Sequence, residues 1–168
     1  MNEPNFAQII DSLEIDKEKV IQFFFVFSRF EYALKRASYV SGGVGSKVSP
    51  NWDTFAKEID ATFWPAMTPE LETAVAYLQE HPPMKQIVKD SNHSIGWEKT
   101  NYDKEGLRGL LLMVRTVRNN LFHGGKYPEL PKQDESRDTK LLESCLAILQ
   151  ACLPLHEEVR MHFFEKLG

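Results

Sequence analysis

The stretch Leu107-Arg108-Gly109-Leu110-Leu111-Leu112-Met113-Val114-Arg115-Thr116-Val117-Arg118-Asn119-Asn120-Leu121-Phe122-His123 decides the reading of this chain. Leu107, Leu110, Leu111, Leu112, Val114, Val117 and Leu121 recur with a helical period and mark an apolar helix that should be buried. The pattern predicts a helix from Lys104 to His123, ended by Gly124-Gly125, which readily take up the left-handed stop. Its last turns carry Arg118, Asn119 and His123, polar groups that an apolar helix accommodates only with partners or a purpose.

The same helical period extends outward in both directions. Asp16 is placed to cap a helix running to about Val40, with Val20, Phe23, Phe27, Phe30 and Leu34 on one stripe. Ile21, Phe25, Ser28 and Tyr32 fall on a second side, so this helix is apolar over more than one face. That predicts a central or intersubunit position. Ser41 to Pro50 is a glycine-bearing loop. It lacks the Gly-Lys-Ser/Thr ending of a phosphate-binding loop and follows a helix, which excludes that motif.

Trp52, Phe55, Ile59 and Phe63 mark a short helix. Thr68 caps another, with Pro69 at its first position, that runs to the His81-Pro82-Pro83 break. Met84, Ile87 and Val88 suit one further turn, and Asp90 to Tyr102 reads as a polar loop. A final helix from about Ser136 carries Leu141, Leu142, Cys145, Leu146 and Leu149, and Pro154 should kink or divide it. With no convincing strand or repeat, the expectation is an all-α bundle of four to five main helices, one domain over residues 1–168.

Composition narrows the function classes. Hydrophobic residues make up 42% and charged residues 26% of the 168, ordinary values for a globular protein. The net charge of −4 argues against a broadly basic nucleic-acid coat. Yet Asn101 to Lys132 holds six basic residues against three acidic ones, a local +3 suited to gripping an anion at one place. The only cysteines, Cys145 and Cys152, lie two helical turns apart, about 10 Å, and are expected as reduced, buried hydrophobes. The first residues, Met1 to Asn5, are neither basic nor apolar, and no apolar run is long enough for a bilayer. We therefore expect a cytoplasmic protein with no membrane partner.

Arg offers a planar fork of donors matched to phosphate, and His moves protons near neutral pH, so Arg118 with His123 points to phosphodiester chemistry. The alternative is an Arg and an Asn serving nearby backbone, beside a helix-end imidazole favoured by the helix dipole. On an ideal helix Arg115, Asn119 and His123 share one face, whereas Arg118 and His123 stand about 140° apart around the axis. Bringing both to one phosphate therefore needs a distorted end or a second helix. For Arg115 an ion pair with Glu31 or another acid is the structural alternative. His81, His93, His156 and His162 show no ligand spacing, so neither metal nor cofactor is expected.

Arg118-Asn119-Asn120-Leu121-Phe122-His123 resembles the Arg-x4-6-His signature of the HEPN superfamily, including a polar residue directly after the Arg. The helix with Phe30-Glu31-Tyr32-Ala33-Leu34-Lys35 resembles that family's first helix, and the two helices cover about a quarter of the chain. The resemblance implies a four- or five-helix bundle that dimerises through its motif helices, with two Arg/His sets facing one cleft. It further implies a metal-independent endoribonuclease of toxin or phage-defence type, acting on RNA, with Arg118, Asn119 and His123 catalytic and Glu31, Arg115 and Lys126 supporting. The alternative within the resemblance is a non-catalytic module that binds nucleic acid or nucleotide, or a protein such as a cognate antitoxin or nucleotidyltransferase.

Overall fold

The computed structural model describes Asn5, residues 15–122 and residues 135–166. Among these, six α-helices and two small antiparallel hairpins are present, an all-α architecture. The helices are α1 (Lys17–Arg36), α2 (Trp52–Phe63), α3 (Pro69–Glu80), α4 (Leu107–Phe122), α5 (Glu135–Cys152) and α6 (Glu157–Phe164). No helix among the described residues is long and apolar enough to cross a membrane.

Local chemistry accounts for the boundaries. The Asp16 carboxylate accepts the Lys19 N–H at 3.0 Å and opens α1. The helix ends four residues before the expected Val40, because Ser38 turns left-handed (φ 65°). Tyr39 N–H then reaches back to Leu34 O at 2.9 Å and Ser38 N–H to Lys35 O at 3.3 Å, the Schellman closure. Asn51 caps α2 through Thr54 N–H, and Thr68 caps α3 through Leu71 N–H with Pro69 in the first turn. Pro154 divides the last helical segment: a 3₁₀ turn at Leu153–Leu155 separates α5 from α6.

The expectation of no strands is corrected in two places. Val40–Ser41 (β1) pairs with Ser49–Pro50 (β2), so the glycine-bearing loop is a hairpin tip with Gly42 and Gly45 at positive φ. Lys85–Val88 (β3) pairs with Ile95–Glu98 (β4), in place of the expected helical turn and loop. Its tip is closed by Asp90, whose carboxylate accepts Asn92 N–H at 2.9 Å and the hydroxyl and N–H of Ser94. Four-residue strands are too short to show an alternation readable against helical background.

The core is shared by all six helices: Leu71, Val75 and Leu78 of α3 and Val159 of α6 are buried in it together with the inner faces of α1, α2, α4 and α5. The Trp52 indole stacks between Phe27 and Phe30 of α1, with centroids 5.3 Å from each. Leu110, Met113 and Val114 of α4 meet this layer with Leu142, Cys145, Ile148 and Leu149 of α5, all buried. Gly109 lets α4 lie directly against the preceding loop: a Cβ there would stand 1.7 Å from the Asp103 carbonyl oxygen. The first N–H of α4 is taken by the Asp60 carboxylate of α2, 2.8 Å from Leu107 N. The start and tilt of the motif helix are thereby set by tertiary contacts on both sides.

Candidate functional site

Of the sequence-derived site, Arg118, Asn119, Arg115 and Glu31 are described, whereas His123 and Lys126 lie outside the described residues. Arg118 sits at one edge of the buried sector of α4, where that helix meets α1. Its guanidinium carbon lies 5.3 Å from the centroid of the buried Phe27 ring, a cation–π placement. Nη1 donates to Asn119 Oδ1 at 3.0 Å. No carboxylate among the described residues pairs with Arg118. Behind it the rings of Phe27, Trp52 and Phe30 form a continuous stack into the core, so the guanidinium rests on a rigid base. Its remaining N–H donors are left for another acceptor, a geometry suited to an anion.

One turn further along α4, Phe122 packs on Phe24 of α1, centroids 5.2 Å apart. Two rungs therefore join the helices: Arg118 on Phe27, and Phe122 on Phe24. Because residue numbers rise on α1 as they fall on α4, the helices run antiparallel here. Asn119 is exposed, and as the acceptor from Arg118 it orients the guanidinium rather than capping backbone.

Arg115 forms the ion pair with an acid, and that acid is Asp53 rather than Glu31. Its Nη1 lies 3.7 Å from Oδ1 of Asp53 on α2, and the other oxygen of that carboxylate is 3.1 Å from Arg108 Nη2. Asp53 thus bridges two arginines two turns apart on α4. All three side chains are more than a third exposed, which makes this a weak surface tether. No hydrogen bond or ion pair among the described residues joins Glu31 to Arg115 or Arg118. The structure therefore brings Arg118 and Asn119 together, directs Arg115 toward α2, and leaves Glu31 apart from both.

Asn120 has a role that motif reading alone does not reveal. Its Nδ2 donates to the Met84 carbonyl at 2.8 Å, tying the end of α4 to the β3–β4 hairpin. Asn120 and Arg118 point about 160° apart around the helix axis. The two flanks of α4 are thus divided between an anchored structural side and an Arg118 side. Only the position of the hairpin, absent from sequence periodicity, separates the duties of Asn119 and Asn120.

A second titratable cluster lies elsewhere. Tyr39 Oη is 2.7 Å from His156 Nε2, and Glu58 Oε1 is 3.3 Å from the same nitrogen. His156 Nδ1 accepts Val159 N–H at 3.3 Å and caps α6. Burial, then the Glu58 carboxylate, pushes the Tyr39 phenol far above its ordinary value, so it remains protonated. With every ring nitrogen engaged, this cluster reads as the cap of α6. Among the described residues no three His, Cys, Asp or Glu side chains are grouped as metal ligands. Cys145 and Cys152 are free and fully buried, and burial pushes both thiols well up.

Compared with protein-family models, with curated proteins and with solved structures, the chain matches none of them.

Proposed function

We propose that this protein is a metal-independent endoribonuclease of the HEPN type, with toxin or phage-defence activity and a composite site built by two copies of the chain. The observation that carries the reading is the Arg118 guanidinium: seated on Phe27, oriented by Asn119, and paired with no carboxylate among the described residues. Arg118 is only part-buried, so the N–H donors that Asn119 does not take are open to solvent, where a phosphate can reach them.

In this reading Arg118 holds the scissile phosphate and stabilises the charge that builds on its oxygens during attack. His123 takes the proton from the ribose 2′-hydroxyl, whose oxygen bonds to phosphorus as the bond to the 5′ oxygen breaks. The leaving oxygen is protonated by His123 of the partner subunit, and the product is a 2′,3′-cyclic phosphate. Each such proton transfer is worth a factor of roughly 10²–10⁴. Two copies answer the angular problem, since Arg118 and His123 of one straight helix diverge.

The test is cleavage, in chelator, of an RNA against its twin carrying one deoxyribose at the scissile position. The all-ribose strand should be cut, the twin should bind but resist, and Arg118→Ala and His123→Ala should each abolish cutting while folding normally. Equal cutting of both strands, or activity that returns only with added magnesium or manganese, would overturn the mechanism. Light scattering at tens of micromolar, on the order of normal assay concentrations and well above typical dimer constants, should give a dimer. A strict monomer would sink the composite site.

A further inference from the structure

Three phenylalanine rings lie bare beside Arg118. Phe24 is 46% exposed, Phe25 60% and Phe122 40%, although all three belong to well-formed helices with a packed core below. Ile21, 57% exposed, extends the patch along α1. The rings touch one another: Phe24 meets Phe25 at 5.6 Å and Phe122 at 5.2 Å between centroids. Exposed large apolar side chains in contact with each other, unlike scattered single ones, mark a binding surface. Ile21 and Phe25 belong to the second apolar side of α1, whose pattern predicts a central or intersubunit position, and both are exposed among the described residues.

What distinguishes the patch from a plain apolar face is its composition and its border. It is built mainly of aromatic rings, and the cation at its edge has no carboxylate partner among the described residues. The Arg118–Phe27 rung and the Phe122–Phe24 rung are one helical turn apart, about 5.4 Å. A chain of alternating anions and flat rings satisfies both rungs at once. Single-stranded nucleic acid is such a chain: its phosphates need a guanidinium, and its unpaired bases stack on aromatic faces whatever their sequence.

We propose that Phe24, Phe25 and Phe122 form a stacking platform for the unpaired bases of a single-stranded RNA whose phosphate lies on Arg118. This rests on the ribonuclease reading above and deepens it by naming a subsite next to the scissile bond. The platform makes the substrate single-stranded, because bases within a duplex have no free face to offer. Phe25, the most exposed ring and the one without a contact to α4, contributes to base binding but little to the fold.

The experiment measures binding of a labelled single-stranded RNA, made uncuttable by one deoxyribose at the scissile position, to the full chain and to Phe25→Ala and Phe24→Ser. Stacking is worth about 1–3 kcal/mol per base, so each variant should weaken binding by on the order of 5- to 150-fold. Removing the flanking base from the RNA should weaken wild-type binding similarly, and removing ring and base together should cost little more than either alone. The salt dependence should stay unchanged in the ring variants, whereas Arg118→Ala should lower its slope by about 0.7. That pattern establishes the platform, with thermal unfolding of Phe25→Ala showing that the fold is kept.

If wild type cuts RNA but both the ring variants and the abasic strand bind as before, the platform is wrong and the ribonuclease reading stands. Ring variants that bind RNA normally yet turn a dimer into a monomer would assign the patch to contact between copies. Wild type that neither binds nor cuts RNA would overturn both proposals together.

Discussion

Replacing Gly109 by Ala tests how the motif helix is seated. In a helix interior this change normally stabilises by about 0.8–1.0 kcal/mol, because Ala loses less backbone freedom. Here the added Cβ would meet the Asp103 carbonyl oxygen at 1.7 Å and the Asp103 carbonyl carbon at 2.7 Å. Real Cβ atoms essentially never come within 3.0 Å of such neighbours, and these are backbone atoms that cannot swing aside. The loop before α4 must retreat by more than an ångström, pulling on Leu107, whose N–H is held by Asp60. Overpacking of this kind costs about 1–3 kcal/mol, and the backbone clash places it in the upper part of that range. After the propensity gain, a net loss of about 1–2 kcal/mol remains, a fall in Tm of about 2–8 °C for a chain of this size. Thermal unfolding followed by circular dichroism reads it directly. Gly43→Ala is the control: it has no heavy atom within 4 Å of a Cβ and no positive φ, so it should be neutral or slightly stabilising. A Tm that rises with Gly109→Ala would refute the close-approach reasoning.

Asn120→Ala should cost about 1–2 kcal/mol in urea unfolding, since it strips a partner from the Met84 carbonyl, while Asn119→Ala should stay within about 0.5 kcal/mol; equal effects would erase the division between the two asparagines. Cys145 and Cys152, with thiols raised by complete burial, should resist a thiol reagent at pH 8 in the native protein and react in denaturant. Fast native labelling of either would contradict their placement. Glu165 is held below its ordinary carboxylate value of 4.5, first by the hydrogen bond with His162 and then by that with Tyr32. Its ionised form therefore contributes stability above about pH 4.5, and this is lost as pH falls through the lower folded-state value. A carboxyl NMR titration should place the Glu165 midpoint below 4.5 and show the C-terminal helix loosening only under that pH; a midpoint above 4.5 would reverse the argument.

The sequence by itself determined the elements whose information is local. Helical spacing of Phe23, Phe27, Phe30 and Leu34, and of Leu110, Val114 and Val117, marked the faces that are buried. Asp16, Thr68 with Pro69, and Pro154 marked helix boundaries, because a cap or a missing N–H acts within a few residues of itself. Other features depended on partners far along the chain, and only the tertiary structure decided them. The β3–β4 hairpin was hidden because two four-residue strands carry little periodicity of their own, and it is this hairpin that makes Asn120 an anchor. Arg115 turns to Asp53 rather than Glu31 because α2, not α1, lies along that flank of α4. Arg118 was legible as a candidate from its neighbours in sequence. The aromatic stack beneath it comes from α1 and α2, and two of the three bare phenylalanines beside it, Phe24 and Phe25, come from α1, brought there by packing. A guanidinium's partners are set by distance in space, and distance in space is what one-dimensional spacing does not contain.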